Sequence, residues 1–477
     1  MSILNWHLPA RLFVLGALML PPVAGGASST ADLLAQLIRI DTSNPPGNEA
    51  KIAEFLATLF RPLGFEIQII PTPVAGKSHF LARLKGDGTK RPVLIAAHAD
   101  VVGVEREKWS LDPFAGVIKD GYVYGRGAID FKGGLATFAR AAMMLAENKV
   151  PLHRDVIFLS EADEEGGTYN TTWLAENHWD QMDCEFALNE GGWVMQSDNG
   201  KVRYASVSTA DKASVTLLVT AKGTSTHSSM PRPDNAIFTL AKALTRIAAY
   251  DTRPKLIEST KEFFLTLAKT SAPPLSTHFE NLVTSGDPKL VAEADREISK
   301  DPLLHAIMRN TIAPVFLKAG FRGNVIPGSA EATINFRVLP GTRPEDLVDE
   351  MKTVINDPDV EVALPPASSA DGARIRKYSE MAARTLPSTK DTELFRALVR
   401  NANAVWPGAP VTTYLFQAGT DAIAWRSRGV PVYGIYPYPI SAEDLTRMHG
   451  NDERVPVKSL EQGTELIYKT LLDVAAK

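Results

Sequence analysis

The sequence predicts an α/β fold in which a mostly parallel sheet is interrupted by a smaller α+β domain. Short apolar runs, PVLIAA at 92–97 and VIFLS at 156–160, are typical of strands that are buried on both faces of a parallel sheet. Between them, apolar residues at 133–148 recur with helical spacing. Strict alternation of apolar and polar residues at 213–221 and 329–338 instead indicates antiparallel strands with one open face. Strand, helix and strand in this order favour a sheet that is covered on both faces.

In chain order, the elements after residue 27 divide into three segments. Residues 28–211 begin with two helical patterns and continue with the buried strands. Residues 212–364 join the alternating strands through an amphipathic helix at 236–250 and a longer mixed stretch that reads as helical. Residues 365–477 start with PPASSADGA, which predicts a linker, and return to a buried strand at 431–437 before a closing helix. We therefore expect the first domain to be interrupted by the second.

The first 27 residues predict a secretory signal peptide. A single fixed positive charge, Arg11, precedes the apolar core LFVLGALML at 12–20, and small residues follow at 21–29. This order is that of a signal sequence with a cleavage site near Ala27. The core is too short for a stable membrane span, so we expect a secreted or periplasmic protein. An uncleaved membrane anchor is the alternative.

Composition limits the partners of this chain. Its 477 residues are 44% apolar and 22% charged, which is ordinary for a globular protein of more than one domain. The formal net charge is −4, and no run of basic residues points to nucleic acid. Cys184 is the single cysteine, so no internal disulfide can form. The fold must therefore be held by its core.

Acids and a histidine follow the predicted strands and a glycine-rich turn. They are His98, Asp100, Asp130, Glu164, Glu165 and Glu190. Open α/β sheets build their sites at the carboxyl ends of strands, so we expect these side chains to converge. Adjacent carboxylates repel one another unless a multivalent cation neutralises them. Imidazole with carboxylate and without thiolate suits zinc, with cobalt or manganese as substitutes.

Each motif has a simpler explanation when it is taken alone. His98 could be a structural histidine at a strand end, and the glycines around Asp130 could serve turn geometry only. The acids at 163–165 could open a helix, where the dipole favours negative charge. His98 and Asp100 also have a specific chemistry in common, since His98 can bind a metal through one ring nitrogen while Asp100 accepts from the other. The combination in this order is more specific than any one motif.

Five motifs in this order resemble the M20 family of metallopeptidases. They are HAD (98–100), GRGAIDFKGG (125–134), ADEEGG (162–167), NEGG (189–192) and MHGNDE (448–453). The family includes glutamate carboxypeptidase, aminoacylase and carboxypeptidase S, and the resemblance covers essentially the whole chain after the signal peptide. The inserted stretch and the C-terminal sequence look most similar to the carboxypeptidase S and N-acyl-amino-acid hydrolase branch.

The resemblance implies a site for two zinc ions in each subunit. Asp130 would bridge both ions. His98 and Glu190 would complete one site, and Glu165 and His449 would complete the other. Without the family, His449 reads as a surface histidine in a charged loop. The family often has a cis peptide bond after the bridging aspartate.

The resemblance also implies the catalytic groups. Glu164 would be the general base beside the ligand Glu165, and Asp100 would partner His98. His227 would project from the smaller lid domain into the active site of a partner subunit, where it would stabilise the oxyanion. A homodimer follows from that arrangement. The alternative for His227 is an incidental histidine in a helix-capping segment.

The substrate-side residues that the resemblance indicates are Asn324, Arg337, Gly419 and Thr420. Asn324 would donate to the substrate, and Arg337, on the open face of its strand, would grip a free carboxylate as a fork. The family more often has Asp-x-Arg, and here Asn335 stands in the place of that Asp. A solvated surface arginine is the alternative for Arg337.

The predicted function is that of an exported dizinc amidohydrolase or carboxypeptidase. It would cleave an amide bond to an amino acid with a free carboxylate, in an N-acyl amino acid or at a peptide C-terminus. Glu164 would act as general base toward a water activated by the metals. Three alternatives stay open: a dipeptidase or aminopeptidase that selects a free amine, a non-catalytic member that binds metal or ligand, and a glycoside hydrolase with paired carboxylates.

Overall fold

The structure is a computed structural model that describes residues 29–197 and 199–477. The predicted signal peptide at 1–27 lies outside the described residues. Within them, no helix has the length and apolar character needed to cross a membrane. The strands are β1 (Glu66–Pro71), β2 (Ser78–Leu84), β3 (Val93–His98), β4 (Val117–Lys119), β5 (Tyr122–Tyr124), β6 (Val156–Glu161), β7 (Phe186–Gln196), β8 (Val202–Asp211), β9 (Ala213–Lys222), β10 (Thr226–His227), β11 (Thr311–Ala319), β12 (Val325–Ile326), β13 (Ser329–Val338), β14 (Val360–Ala363), β15 (Val411–Phe416), β16 (Val432–Ile440) and β17 (Arg454–Pro456). The helices are α1 (Thr30–Ile38), α2 (Glu49–Phe60), α3 (Lys132–Glu147), α4 (Thr171–Asn177), α5 (Trp179–Met182), α6 (Ala236–Ala248), α7 (Glu258–Thr270), α8 (Leu275–Thr284), α9 (Pro288–Ile298), α10 (Pro302–Met308), α11 (Pro344–Ile355), α12 (Ala370–Arg384), α13 (Glu393–Val405), α14 (Ile423–Arg426), α15 (Ala442–Leu445) and α16 (Val457–Ala475).

An eight-stranded sheet forms the main body, in the order β1-β2-β6-β3-β7-β16-β8-β15. Its centre is parallel, because β3 pairs with β6 and β7, and β7 pairs with β16. Along β3, Val93 and Ile95 pack into the core on one face, whereas Leu94 and Ala96 pack into the core on the other. A strand that is buried on both faces reads as a continuous apolar run, as seen here. The predicted α/β class is confirmed.

Helices cover both faces of the main sheet. On one face, α1, α3 and α16 bury apolar stripes that include Leu34, Leu135 and Leu466. On the other face, α4 and α14 contribute Leu174 and Trp425 to a separate core. Each face of the sheet therefore has an apolar partner, which is the usual layered solution for a parallel sheet.

A second, four-stranded sheet has the order β11-β13-β9-β14 and is antiparallel throughout. One of its faces packs on α6 and α11, where Leu217 and Ile334 of the sheet share a core with Leu240 and Met351 of the helices. The intervening residues of β9 and β13 are less buried. This one-sided burial is the physical cause of the alternation in the sequence.

The segment predicted as the smaller domain, 212–364, contributes to both cores. Its strands and α6 and α11 build the smaller core, but α7 to α10 join the core of the main sheet. Phe263 of α7 packs edge-on against Tyr204 of β8 and Tyr414 of β15, with ring centroids 5.5 and 4.9 Å apart. The predicted linker at 365–373 contains the start of α12, which packs on β9. The domain boundaries themselves stay predictions.

Candidate active site

The candidate site lies at one edge of the main sheet. His98 is the last residue of β3, Glu164 and Glu165 follow β6, and Glu190 lies on β7. Because β6, β3 and β7 are parallel neighbours in the sheet, these side chains lie close together toward the carboxyl ends of the strands. His449 lies in the turn after α15, and its φ of 59° places its backbone in the left-handed region. Distant parts of the chain therefore meet here.

Asp130 sits in a loop between β5 and α3 that Glu453 organises. The carboxylate of Glu453 accepts from the backbone N–H groups of Ile129 and Asp130 at 2.7 and 3.1 Å. It also pairs with the buried Arg126 at 2.6 Å. The peptide bond between Asp130 and Phe131 is cis. Glu453 thus holds Asp130 in place. In the sequence, Glu453 is visible only as the last residue of the MHGNDE motif, and nothing there indicates this role.

His98, Asp130 and Glu190 form a first group of potential metal ligands. His98 Nε2 lies 3.1 Å from Asp130 Oδ1 and 3.6 Å from Glu190 Oε2. His98 Nδ1 lies 2.9 Å from the backbone oxygen of Asp100. A carbonyl oxygen can only accept, so in the neutral ring Nδ1 carries the hydrogen and the Nε2 lone pair faces the two carboxylates. The Asp100 carboxylate, predicted as the acceptor, is farther from Nδ1, at 3.7 Å.

Asp130, Glu165 and His449 form a second group. His449 Nε2 lies 3.0 Å from Asp130 Oδ2 and 3.0 Å from Glu165 Oε1. The two groups therefore approach different oxygens of Asp130. In each group, one potential ligand atom per residue lies within 4.8 Å of the others. Imidazole nitrogen and carboxylate oxygen are donors that suit zinc and related divalent ions.

Tyr436 of β16 closes the first group from the side. Its hydroxyl lies 3.0 Å from Asp130 Oδ1 and 2.9 Å from Glu190 Oε2. Its ring stacks on Trp193, with centroids 4.2 Å apart. The phenol has one hydrogen, so it can donate to either of these carboxylates but only to one at a time. The apolar run PVYGIYP predicts the strand but carries no signal for this role.

The site concentrates negative charge in a buried place. Burial and the charge of Glu190 raise the pKa of Glu164 well above its usual range. Burial also raises the pKa of Glu190 to about 7. Hydrogen bonds to Asp130 and Glu165 raise the pKa of His449 to about 10. Divalent cations held by the two groups would offset the repulsion between carboxylates, so the residues present fit a two-metal site.

Asp100 holds the loop that carries Glu164. Its Oδ1 accepts from the backbone N–H of Glu164 at 3.1 Å, and its Oδ2 accepts from that of Glu165 at 3.0 Å. Asp100 is fully buried, so these bonds satisfy a carboxylate that has no access to water. The same residue binds the ring of His98 through its backbone oxygen. Asp100 therefore ties both glutamates to the first ligand group.

A cavity of about 750 Å³ opens onto the site. The predicted site residues that line it are Asp130, Glu164, Glu165, Glu190, Arg337, Gly419, Thr420 and His449. His98 and Asp100 are buried behind this surface. The structure therefore brings most of the predicted residues to one concave surface, large enough to enclose a small organic ligand.

His227 and Asn324 lie elsewhere. His227 lies in β10 and pairs with Val325 of β12, and Asn324 directly precedes β12; both residues are exposed. The backbone oxygen of Asn324 accepts from the N–H of Ser228 at 3.0 Å. Neither His227 nor Asn324 is among the described residues that line the cavity. The catalytic and substrate-binding roles of both residues stay predictions.

Helix α12 supplies a wall of the cavity that the sequence did not reveal. Its residues at the cavity are Arg374, Ile375, Lys377, Tyr378 and Met381. Their spacing is that of one helical face. The Pro- and Ser-rich residues before this face predict a linker, and they hide the helical pattern that follows. Lys377 pairs with Glu176 of α4 at 2.5 Å, which joins α12 to the main body beside the cavity.

Comparison with known proteins decides the family. The family model described as Peptidase family M20/M25/M40 matches residues 94–473. The chain belongs to the M20 family. The "Probable carboxypeptidase S-like 2" of Dictyostelium discoideum is 30% identical to this M20 chain over 389 residues, which are 80% of this chain and 71% of the relative. The human "N-fatty-acyl-amino acid synthase/hydrolase PM20D1" is 27% identical over 446 residues, 91% of this chain and 85% of the relative.

A solved structure shows the same fold. The M20 family metallo-carboxypeptidase Sso-CP2 from Sulfolobus solfataricus aligns with a TM-score of 0.66 at 16% identity, over 94% of this chain and 99% of the other. The predicted M20 membership is confirmed. This M20 chain is a hydrolase that acts on amide or peptide bonds.

Metal content tests the second ligand group. Replacing His449 with Ala removes one of its three donors, so we expect the metal content to fall from about two ions per chain to about one. Elemental analysis by mass spectrometry after dialysis would measure this content. His153→Ala is the control, because His153 contacts Thr89 and Asp87 and belongs to neither group. Unchanged metal content in His449→Ala would contradict the assignment.

Proposed function

We propose that this M20 chain is an exported dizinc amidohydrolase. Its substrate would be an amide whose amine side is an amino acid with a free carboxylate, either an N-acyl amino acid or the C-terminal residue of a peptide. One observation carries the proposal: Asp130, Glu164 and Arg337 line the same cavity. That cavity thus combines a metal ligand, a candidate base and a cation suited to a carboxylate. The predicted signal peptide supports export.

The proposed chemistry is hydrolysis with a carboxylate base. The residues that would hold the two zinc ions are His98, Asp130, Glu165, Glu190 and His449. When bound, the ions would acidify a water and polarise the substrate carbonyl. Glu164 accepts the proton of the attacking water and returns it to the leaving amine nitrogen. Because Glu165 is engaged with His449, Glu164 is the carboxylate of the pair that is left for this work.

Arg337 is the proposed anchor for the substrate carboxylate. It lies on the exposed face of β13, opposite Ser214 of β9. Asn335 donates to the Ser214 hydroxyl at 2.7 Å, so this position holds a neutral amide where the family more often has Asp. A guanidinium on an open strand face can bind a carboxylate through two parallel hydrogen bonds. The turn of Thr420 lies at the same cavity and is fixed by a 2.6 Å hydrogen bond from its hydroxyl to Asp211.

Apolar side chains favour an acyl group on the other side of the amide bond. Those that line the cavity include Trp173, Ile375, Met381, Phe416 and Met448. Each buried methylene of a substrate contributes about 0.8 kcal/mol to transfer from water, so these walls favour longer aliphatic acyl chains. The name of the human relative, an N-fatty-acyl-amino acid synthase/hydrolase, supports the same substrate class.

A dipeptidase is less well supported. Recognition of a free ammonium group needs an available carboxylate in the cavity, and Glu176 is already paired with Lys377 at 2.5 Å. Asp421 also lines the cavity, but it is only 1% exposed and so offers little surface to an ammonium group. A protein that only binds metal or ligand would have no use for Glu164. Hydrolysis of acylated amino acids is therefore the preferred function.

A homodimer is the proposed assembly. β11 is an edge strand of the smaller sheet, and its Phe316 and Leu317 are 72% and 69% exposed. Phe238 of α6 is 66% exposed. An open strand edge with large apolar side chains is unfavourable in water unless another surface covers it. We propose that a second copy covers it and that His227 then serves the active site of the partner.

Hydrolysis of a substrate panel tests the proposed function. The zinc-loaded chain would be offered N-acetyl and long-chain N-acyl amino acids, N-blocked dipeptides, free dipeptides and a carboxyl-amidated control, each with and without chelator. We expect chelator-sensitive cleavage of the acylated substrates and a loss of about 100-fold in kcat/KM on amidation, because Arg337 then lacks its partner. In Arg337→Met, kcat/KM should be about the same for the substrate with a free carboxylate and for its amidated form. Cleavage of free dipeptides alone would overturn the substrate assignment.

Glu164→Gln tests the base. The amide keeps the size of the side chain but cannot accept a proton, so kcat should fall by about 10²- to 10⁴-fold. Metal content should stay at the level of the parent chain, because Glu164 belongs to neither ligand group. Glu107→Gln, at an exposed position, is the matched control. A fully active Glu164→Gln chain would show that another group is the base.

Mixed dimers test whether His227 acts across subunits. Chains carrying His227→Ala and Glu164→Gln would be co-expressed with different tags, and the mixed dimer would be purified through both. Each variant alone should be nearly inactive. The mixed dimer should recover about half of the parental kcat, because one of its two sites then combines an intact Glu164 with the partner's intact His227. An inactive mixed dimer would place His227 outside a shared site.

A further inference from the structure

We infer that Asn44 is a positioning residue for Glu164 and Glu165, and that Lys77 assists it. Neither side chain belongs to the ligand groups or lines the cavity. Asn44 acts through the carboxylates of Asp100 and, one residue before Glu164, of Asp163. The catalytic part of this inference rests on the proposed function, whereas the effect on metal affinity does not depend on any substrate.

The amide of Asn44 joins two buried carboxylates. Its Nδ2 donates to Asp100 Oδ2 at 2.7 Å and to Asp163 Oδ1 at 2.8 Å. Its Oδ1 accepts from Lys77 Nζ at 2.9 Å. Both hydrogens and the oxygen of one side-chain amide are therefore used. Asp100 and Asp163 are each at most 1% exposed, so these bonds replace the water that the carboxylates have lost.

The two carboxylates hold the base loop, residues 163–169, at both ends. Asp100 accepts from the backbone N–H groups of Glu164 and Glu165, as described above. Asp163 Oδ2 accepts from the N–H groups of Thr168 and Tyr169 at 3.1 and 2.7 Å. The Asn44 amide is the link between these two sets of bonds. A shift of that amide would therefore move both ends of the base loop.

Lys77 supplies the positive charge that this arrangement needs. It is buried, forms an ion pair with Asp163 and donates to Asn44. Two carboxylates that share one amide repel each other, and a buried cation lowers that repulsion. Lys77 directly precedes β2, whose His79 accepts from the N–H of Ala162 at 3.2 Å. The hairpin of β1 and β2 thus contacts the start of the base loop through Lys77 and His79.

Gly166 shows how closely these groups pack. A side chain at this position would place its Cβ 2.2 Å from Asp163 Oδ1 and 2.8 Å from Asn44 Nδ2. Real carbon atoms do not come this close, so the loop can lie against Asn44 only with glycine here. The first glycine of the ADEEGG motif therefore has a spatial reason, which is the close approach of the Asp163 carboxylate and the Asn44 amide.

The consequence for catalysis is positional. Glu164 must reach both the attacking water and the leaving nitrogen, and a misplacement of about 1 Å can lower a rate by about 100-fold. Glu165 must meet Asp130 and His449 to complete the second ligand group. Side chains that orient metal ligands without touching the metal typically change affinity by about 10- to 100-fold when they are removed.

The test uses Asn44→Ala in the full zinc-loaded chain, with Asn48→Ala as the matched control. Asn48 lies in the same segment, but its amide donates only to the backbone oxygen of Asp41 at 3.1 Å. For Asn44→Ala we expect kcat to fall about 10- to 100-fold with KM within about threefold. We also expect affinity for one of the two zinc ions, measured by competition with a chromophoric chelator, to fall about tenfold. Asn48→Ala should match the parent in both measurements.

A double mutant separates positioning from general loss of structure. If Asn44 acts through Glu164, Asn44→Ala should lower the residual kcat of Glu164→Gln by less than about twofold, because the base is already absent. Lys77→Met should reproduce the pattern of Asn44→Ala, and Lys77→Arg should restore most of the activity. These two variants serve in place of Asn44→Ala if that variant does not fold.

Three results would overturn the inference. Parental kcat and parental zinc affinity in Asn44→Ala and Lys77→Met would show that the loop needs neither residue. A full additional loss in the double mutant, together with a lower melting temperature, would show a structural role only. Where the parent chain hydrolyses nothing on the panel, parental zinc affinity in both variants would by itself overturn the inference. In that last case the proposed function fails separately, and the zinc measurement alone decides the positioning role.

Discussion

Repulsion among the carboxylates at one edge of the main sheet is the constraint on which the rest of the site depends. Acids that are brought together in a buried place need positive charge or hydrogen-bond donors. His98 and His449 supply imidazole groups to Asp130, and Lys77 supplies a buried cation to Asp163. Backbone N–H groups supply much of the rest. Divalent cations between the two ligand groups would complete this neutralisation, so the same charges that oppose folding favour metal binding.

The two sheets divide the work of building the cavity. Parallel strands of the main sheet bring potential metal ligands and the proposed base, Glu164, close together, and the C-terminal segment adds His449. The smaller sheet contributes Arg337, and α12, packed on that sheet, contributes the wall around Tyr378. The potential metal ligands and the proposed carboxylate anchor, Arg337, thus come from different sheets. Such separation allows the recognition surface to vary without disturbing the ligands.

Periodic patterns of apolar residues predicted the strands and helices whose burial is one-sided or complete. β13 runs from Ser329 to Val338, the segment whose alternation predicts it, because one face of that strand is covered and the other is open. The resemblance carried by the order of the motifs predicted that His98, Glu165, Glu190 and His449 lie around Asp130. Asn44 and Lys77 were not predicted, since their roles arise only when they meet Asp163, which is more than eighty residues away from either. The packing of Phe263 on the main sheet was missed for the same reason, because a helical stripe does not say which core it joins.

Asp100 is better understood as a coupling between the two ligand groups than as a partner of one histidine. Its backbone oxygen fixes Nδ1 of His98, which belongs to the first group. Its carboxylate accepts from the N–H of Glu165, which belongs to the second group, and from the N–H of Glu164, the preceding residue. The closer acceptor for His98 is the backbone, so the carboxylate is available to the base loop. A displacement of Asp100 would therefore disturb both ligand groups and Glu164 together, and the Asn44 amide, which accepts from Lys77, restrains the Asp100 carboxylate.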